Sequence, residues 1–229
     1  MRAQFLEGLT LQDQYLLKGD EAHHLLHVAR IEVGEEVLLL NGRGLMVWTV
    51  VESLGKKDIV LKKLRESKIG QLSKYDLILG IPKKDALELS LKQAVELGFR
   101  KIFLIRAAYS QIKIPETERM QSLLINALEQ SNAAFLPEII ATGWKELNFS
   151  EYSEVVLLDS QSQTTRPLKQ GNSQLSALVV GPEGGFSQDE LSFLHGLPNA
   201  AVVRLPCPLL RTPTAVAAGA GVLMGRLLD

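Results

Sequence analysis

In the first seventy positions apolar residues come in short runs broken by turn signals. Residues 37–40 (VLLL) form one such run, and Asn41-Gly42-Arg43-Gly44 behind it is a strong turn sequence. Residues 45–51 and 58–64 follow as strands, separated by a Ser-Leu-Gly-Lys-Lys turn. One helix is predicted over residues 21–30, with Asp20 at its N-cap and Gly19 before it. Several short strands and a single helix predict a small β-barrel.

The pattern changes after Ile69-Gly70-Gln71-Leu72-Ser73, which reads as a linker. Strands are then predicted at 77–81, 101–105, 155–158, 175–180 and 201–205. Helices are predicted at 84–97, ending at Gly98, at 116–132 and at 213–228, with a further helix after a glycine-rich loop that follows residue 180. Strands alternating with helices imply a parallel sheet covered on both faces, and ligands on such sheets sit beyond the C-terminal strand ends. The expected organisation is therefore a β domain over 1–70 and an α/β domain over 71–229, with no internal repeat.

Composition fits an ordinary folded chain: of 229 residues, 46% are hydrophobic and 22% charged. The one cysteine, Cys207, excludes an internal disulfide and a zinc-type cysteine pair. The first residues are charged and lack an apolar core, unlike a signal peptide, and no apolar run approaches the roughly 18 residues that span a bilayer. A cytoplasmic protein without membrane contact is expected. Net charge is −1, and neither half is basic: residues 1–70 hold ten Lys/Arg against ten Asp/Glu. Nucleic-acid binding would have to rest on local patches such as Lys56, Lys57, Lys62, Lys63, Arg65 and Lys68, which could equally be strand-edge lysines that discourage aggregation.

Two loops could carry chemistry. Gly181-Pro182-Glu183-Gly184-Gly185-Phe186 directly follows a strand, and Ser187 with Glu190 then forms a capping box. Three glycines and a proline in five residues build a rigid loop whose backbone can approach a ligand closely. The loop is neither G-x-G-x-x-G nor a P-loop, and Glu183 would sit badly beside a pyrophosphate. A positively charged ligand such as S-adenosylmethionine is compatible with it, and a plain strand-to-helix turn is the alternative. The second loop, residues 205–215 (LPCPLLRTPTA), is stiffened by prolines. Thr212 is expected to cap the helix that Pro213 opens. Arg211 stands at a positive helix end, where a cation gains nothing from the dipole, so it is a candidate for binding an anion. In the last helix Ala217, Gly221 and Gly225 recur every fourth position and suggest close packing. His23 and His27 share a helix face, but with no Cys near them and no His-Glu-x-x-His helix, no metal is expected. No G-x-S-x-G elbow supports serine hydrolase chemistry.

Taken together these segments resemble the family of ribosomal RNA small-subunit uridine-N3 methyltransferases, of the SPOUT class. Residues 179–187 (VVGPEGGFS) carry the most specific match. Residues 205–215 resemble L-G-x-R-I-L-R-T-E-T-A, and residues 23–30 (HHLLHVAR) resemble an N-terminal H-H-L-x-x-V-L-R. Residues 94–98 (AVELG) and 127–131 (ALEQS) match two further motifs in order.

The resemblance implies an α/β protein: an N-terminal PUA-like β-barrel, then a SPOUT domain ending in a trefoil knot, assembled as a homodimer. It implies methylation of uridine N3 in 16S ribosomal RNA with S-adenosylmethionine as cofactor and without metal. The implied cofactor residues are Leu158 and Asp159, then Gly181, Pro182, Glu183, Gly184 and Gly185, then Leu205, Leu209, Leu210 and Thr214, with Arg211 as the catalytic candidate. The chain also departs from the pattern. Pro213 replaces a glutamate, Pro206 and Pro208 replace a glycine and an arginine, and Gln93, Ala133 and Tyr109 stand where the family has cations. These departures touch the RNA side more than the cofactor loop. They define two competing readings: a paralogue acting on another RNA site, and a catalytically silent RNA-binding or assembly factor.

Overall fold

The computed structural model of the chain describes residues 1–70, 73–110, 114, 116–162, 166, 168 and 174–225. It divides into two compact units: Met1–Leu72 with Ile125–Leu136, and Ser73–Leu124 with Pro137–Asp229.

The first unit contains β1 (Arg2–Phe5), β2 (Gln14–Lys18), α1 (Gly19–His23), β3 (Glu36–Leu40), β4 (Leu45–Leu54) and β5 (Asp58–Lys68). Its sheet runs β1-β3-β4-β5-β2, with β1 parallel to β3 and the other pairs antiparallel. Register shifts between Trp48 and Thr49 and between Val51 and Ser53 bend the long β4–β5 hairpin. Leu17, Leu25, Val37, Leu39, Val47, Ile59 and Leu61 fill the core. Residues 125–136 return to this unit, a contact that strand–helix alternation does not reveal. The Glu129 carboxylate accepts the Phe5 N–H (2.7 Å), Gly44 N–H donates to the Ala134 carbonyl (2.9 Å), and Leu136 N–H donates to the Gly42 carbonyl (2.9 Å). Burial pushes the Glu129 carboxyl above its usual range, against the Phe5 N–H that favours its charged form. The acidic residue of the ALEQS motif thus serves the fold.

Asp20 does not cap α1. The N-cap is Lys18, without a side-chain bond, and Asp20 lies in the first turn, where its charge still suits the helix dipole. The helix widens into a π turn over His24–Val28 and ends at Arg30, whose φ is 50°.

The second unit holds β6 (Tyr75–Gly80), α2 (Lys84–Glu96), β7 (Lys101–Ile105), α3 (Thr117–Ser131, whose second half belongs to the first unit), β8 (Glu138–Thr142), β9 (Glu154–Leu158), β10 (Ser176–Val180), α4 (Gln188–His195), β11 (Ala200–Val203) and α5 (Thr212–Gly225). Its six strands are all parallel, in the order β11-β9-β10-β6-β7-β8. Every residue of β6 and β10, the central pair, is buried, Asp76 and Ser176 included, which is why residues 77–81 and 177–180 read as continuous apolar runs. The end of the predicted last helix, residues 226–228, lies outside the described residues.

At the N-terminal end of β6 the fully buried Asp76 receives both Nε and Nη2 of Arg100 (2.9 and 2.7 Å) and the Tyr152 hydroxyl (2.9 Å). Burial, and then the Asp76 charge, push the Tyr152 phenol well above its ordinary range. The sign follows directly. Below pH about 10 the phenol is neutral in folded and unfolded chains alike and its contribution is intact. Above that value the unfolded chain releases the proton and the folded one does not, so stability falls as pH rises. Between pH 9 and 11.5 wild type is expected to lose up to about 2 kcal/mol more stability than Tyr152→Phe, at about 1.4 kcal/mol per pH unit above pH 10. Urea titrations across that range measure it, and parallel curves for the two proteins would refute it.

Candidate functional site

β6, β7 and β8 run outward from the middle of the sheet on one side, and β10, β9 and β11 on the other. Beyond the C-terminal ends of the latter three lies a cavity of about 460 Å³, within the usual range for a cofactor site.

The loop after β10 forms one wall. The Gly185 N–H closes a turn on the Pro182 carbonyl (2.9 Å), and Gly185 has φ 71°, a conformation costly to other residues. A Cβ on Gly184 would come within 2.8 Å of the Tyr109 Cβ, so this position admits no side chain while Tyr109 stays in place. The predicted capping box is present: Ser187 N–H donates to Glu190 Oε2 (2.8 Å) and Glu190 N–H donates to Ser187 Oγ (3.3 Å). Glu190 does more than cap. Its Oε1 accepts the Ala108 N–H (3.1 Å) and the Trp144 indole N–H (3.0 Å), joining the loop after β7 and the segment after β8 to the start of α4. Glu183 corrects the electrostatic reading of this loop. Both its carboxylate oxygens accept the Lys83 N–H (3.1 Å each) at the start of α2, a helix with no cap of its own. Its charge is engaged by that helix end and is not reserved for a cationic ligand.

The loop after β11 forms a second wall. Thr212 is not the N-cap of α5: the Arg211 carbonyl already accepts the Ala215 N–H (2.9 Å), and Thr212 opens the helix. The Thr212 hydroxyl, almost wholly buried, donates instead to the Gly181 carbonyl (3.1 Å) and ties the two loops together. Leu209 leaves 80% of its surface exposed at the cavity, a large apolar area for a ligand to cover. The third wall is the end of β9, where Asp159 accepts the Gln161 N–H (2.9 Å) and its other oxygen meets His195 Nε2 (3.2 Å).

Ten of the residues expected at the cofactor therefore line one cavity: Leu158 and Asp159, the five residues from Gly181 to Gly185, and Leu205, Leu209 and Leu210. Thr214 does not; it is exposed, and Thr212 and Ala215 of the same turn line the cavity. Arg211 is exposed beside the cavity wall, and its guanidinium makes no hydrogen bond or ion pair among the described residues. The Thr212–Gly181 bond, the place of Tyr109 against Gly184 and the Asp159–His195 pair were missed from sequence. The partners lie 31 to 75 positions apart, beyond the reach of local pattern. The His23 and His27 rings lie 4.6 Å apart, tilted by 48°, and no three His, Cys, Asp or Glu among the described residues are grouped to hold a metal. In the lysine-rich patch, Lys63 pairs with Glu66 (2.8 Å) and Asp13 (3.6 Å), while the Arg65 guanidinium lies 3.6 Å from the centre of the Trp48 ring.

Residues 70–224 match the family model of the RNA methyltransferase domain, and residues 17–64 match that of the RNA methyltransferase PUA domain. The chain is 27% identical over 210 residues to ribosomal RNA small subunit methyltransferase E of Rickettsia conorii, covering 87% of this chain and 84% of that one. It is 28% identical over 223 residues to the protein of the same name from Mycobacterium tuberculosis, covering 91% and 85%. Among solved structures, the ribosomal RNA small subunit methyltransferase E of Neisseria gonorrhoeae bound to S-adenosylmethionine superposes with a TM-score of 0.83 at 23% identity, over 98% of this chain and 97% of that one.

Proposed function

The chain belongs to the RNA methyltransferase family, and from that premise we propose that it transfers a methyl group from S-adenosylmethionine to N3 of a uridine in 16S ribosomal RNA. The observation that carries the reading is the single cavity formed by the loops after β9, β10 and β11. The donor set fits the cofactor. Leu158, Leu205 and Leu209 offer apolar faces for an adenine, Asp159 offers a carboxylate for hydroxyl or ammonium groups, and the Gly181–Gly185 backbone can approach closely. Bound there, S-adenosylmethionine supplies an electrophilic methyl group on its sulfonium.

The chain's own residues do the positioning. Glu190 and Thr212 fix the loops before any ligand arrives, so little ordering cost falls on binding. Uridine N3 carries a proton at neutral pH and is paired inside helices, so the target base must be unpaired or flipped and must lose that proton. In this reading Arg211 stabilises the negative uracil that results or holds an adjacent phosphate, a role supported by its exposure between two cavity-lining residues, Leu210 and Thr212. The same reading takes the C-terminal segment as a trefoil knot. It is supported by the return of α5 from the β11 edge to β10, with Thr212 bonded to Gly181.

S-adenosylmethionine is expected to bind with equal affinity before and after chelator treatment, and methyl transfer is expected to map to uridine N3 of 16S ribosomal RNA by mass spectrometry. Calorimetry reads the first. Absence of binding, or binding lost on chelation, would overturn the cofactor assignment. Binding without any methyl transfer would favour a silent factor, and a methyl group at another RNA position a paralogue.

The reading also includes a homodimer that uses the outer face of α5. Gly219 is closed off inside the chain, since a Cβ there would lie 2.7 Å from Leu178 Cδ1. Gly221 and Gly225 are open, with nothing within 4 Å of a Cβ. Gly221→Leu is therefore expected to keep the fold and lose the dimer. Sedimentation velocity at micromolar concentration tests it: a wild-type monomer, or a Gly221→Leu dimer as tight as wild type, contradicts the proposal.

A further inference from the structure

Among the described residues that line the cavity, all but one come from three stretches, 158–161, 180–191 and 203–215. The exception is Tyr109, from the loop after β7. In the sheet β7 is separated from β10 by β6 and from β9 by two strands, so Tyr109 stands at the margin of the cavity, against the Gly184 side of the wall formed by the loop after β10. It is 53% exposed, whereas Phe186, the other aromatic lining the cavity, is buried.

This exposed ring sits on a fixed backbone. Ala107 N–H donates to the Ile105 carbonyl (3.0 Å) and to Ser110 Oγ (3.1 Å), Ser110 N–H donates back to the Ala107 carbonyl (3.0 Å), and Ala108 N–H donates to Glu190 (3.1 Å). On the cavity side its Cβ rests against Gly184, where no side chain intervenes. A large ring held at a cavity mouth with half its surface uncovered is poorly used as packing and well used as a stacking surface.

An unpaired uracil beside the cofactor needs a cover for its π-face, because it has left the stack that covered it in RNA. We propose that the Tyr109 ring is the platform on which the target base stacks, an inference that rests on the RNA methyltransferase reading above. Tyr109 is then a substrate-binding residue that holds the flipped base without choosing its identity: any flat base gains from the ring, and a sugar or an aliphatic group does not.

The test uses the full-length protein and 16S ribosomal RNA transcribed with 4-thiouridine replacing part of the uridine. Irradiation is expected to place a cross-linked nucleotide on Tyr109, located by peptide mass spectrometry. In parallel, Tyr109→Ala is expected to lower kcat/KM for RNA by about 10- to 100-fold, the range that loss of one base–aromatic stack gives. S-adenosylmethionine affinity should stay unchanged, Tyr109→Phe should restore most of the rate, and Tyr109→Leu should not. Loss of cofactor affinity in Tyr109→Ala would assign the ring to the cofactor, and rescue by leucine would reduce it to packing. Either result, or cross-links that avoid Tyr109, overturns the proposal. A wild-type protein that cross-links through Tyr109 but transfers no methyl group would sink the proposed reaction and leave the stacking surface standing.

Discussion

Arg211→Ala is expected to fold as wild type does, to bind S-adenosylmethionine with unchanged affinity, and to transfer methyl groups about 10²–10³ times more slowly. The first two expectations follow from how the residue is built in. Its contribution to the fold is its carbonyl, which accepts the Ala215 N–H and survives the substitution. Its side chain is exposed and does not line the cavity, although Leu210 and Thr212 on either side do. The third follows from chemistry. Removing the N3 proton leaves a negative charge spread over the uracil ring and its two carbonyls, and a guanidinium brought against that charge stabilises it most once bound RNA has covered the exposed Arg211 side chain. Arg211→Lys should recover little of the rate, because a point charge cannot reproduce a planar two-donor fork. Single-turnover rates on the same RNA are the measurement. Equal rates for wild type and Arg211→Ala would leave Arg211 a plain surface residue.

Asp76→Ala should be strongly destabilising, by about 3–5 kcal/mol. The carboxylate is fully buried and satisfies three donors, two from Arg100 and one from Tyr152. Without it the Tyr152 hydroxyl loses its acceptor inside the core, and only Arg100, with 29% of its side chain exposed, can turn to water. That exposure places the cost toward the lower end of the range. Asp76→Asn should cost less, since the amide oxygen still accepts one bond. Urea denaturation of both variants decides it, and a loss below about 1 kcal/mol for Asp76→Ala would show the network to be dispensable. Because the network sits at the opposite strand ends from the cavity, cofactor affinity of the folded protein should not change.

The parts of this fold that could be read from sequence are those whose cause is local. Apolar-rich runs at residues 77–81 and 175–180 announce strands buried on both faces, and Ser187 with Glu190 announces a helix start. The strands left unread, β1, β2 and β8, are sheet edges in which polar and half-buried residues interrupt the apolar signal, as in the exposed–buried alternation of Gln14–Lys18. At the cavity the same division holds. A glycine-rich loop after a strand points to a ligand, but nothing near Thr212 indicates that its hydroxyl will bond to Gly181 instead of capping its own helix. Glu183 shows the converse: a carboxylate that suggested ligand electrostatics is taken by the bare amide of Lys83. Competition between local and distant partners decides such cases, and only the folded chain reveals the winner.

The order of the strands also sets a timetable for the chain as it leaves the ribosome. β6 is made early, yet its partner β10 is synthesised about a hundred residues later, and the loops that enclose the cavity belong to residues 158–215. Nascent chains fold from their N-termini, and pairings between distant segments come late. A partly made chain therefore leaves one backbone edge of β6 unpaired and has no cavity in which to bind a cofactor. The cavity is complete only after β10 has closed the centre of the sheet and α5 has locked Thr212 onto Gly181, so a chain not yet extended past residue 215 lacks the site.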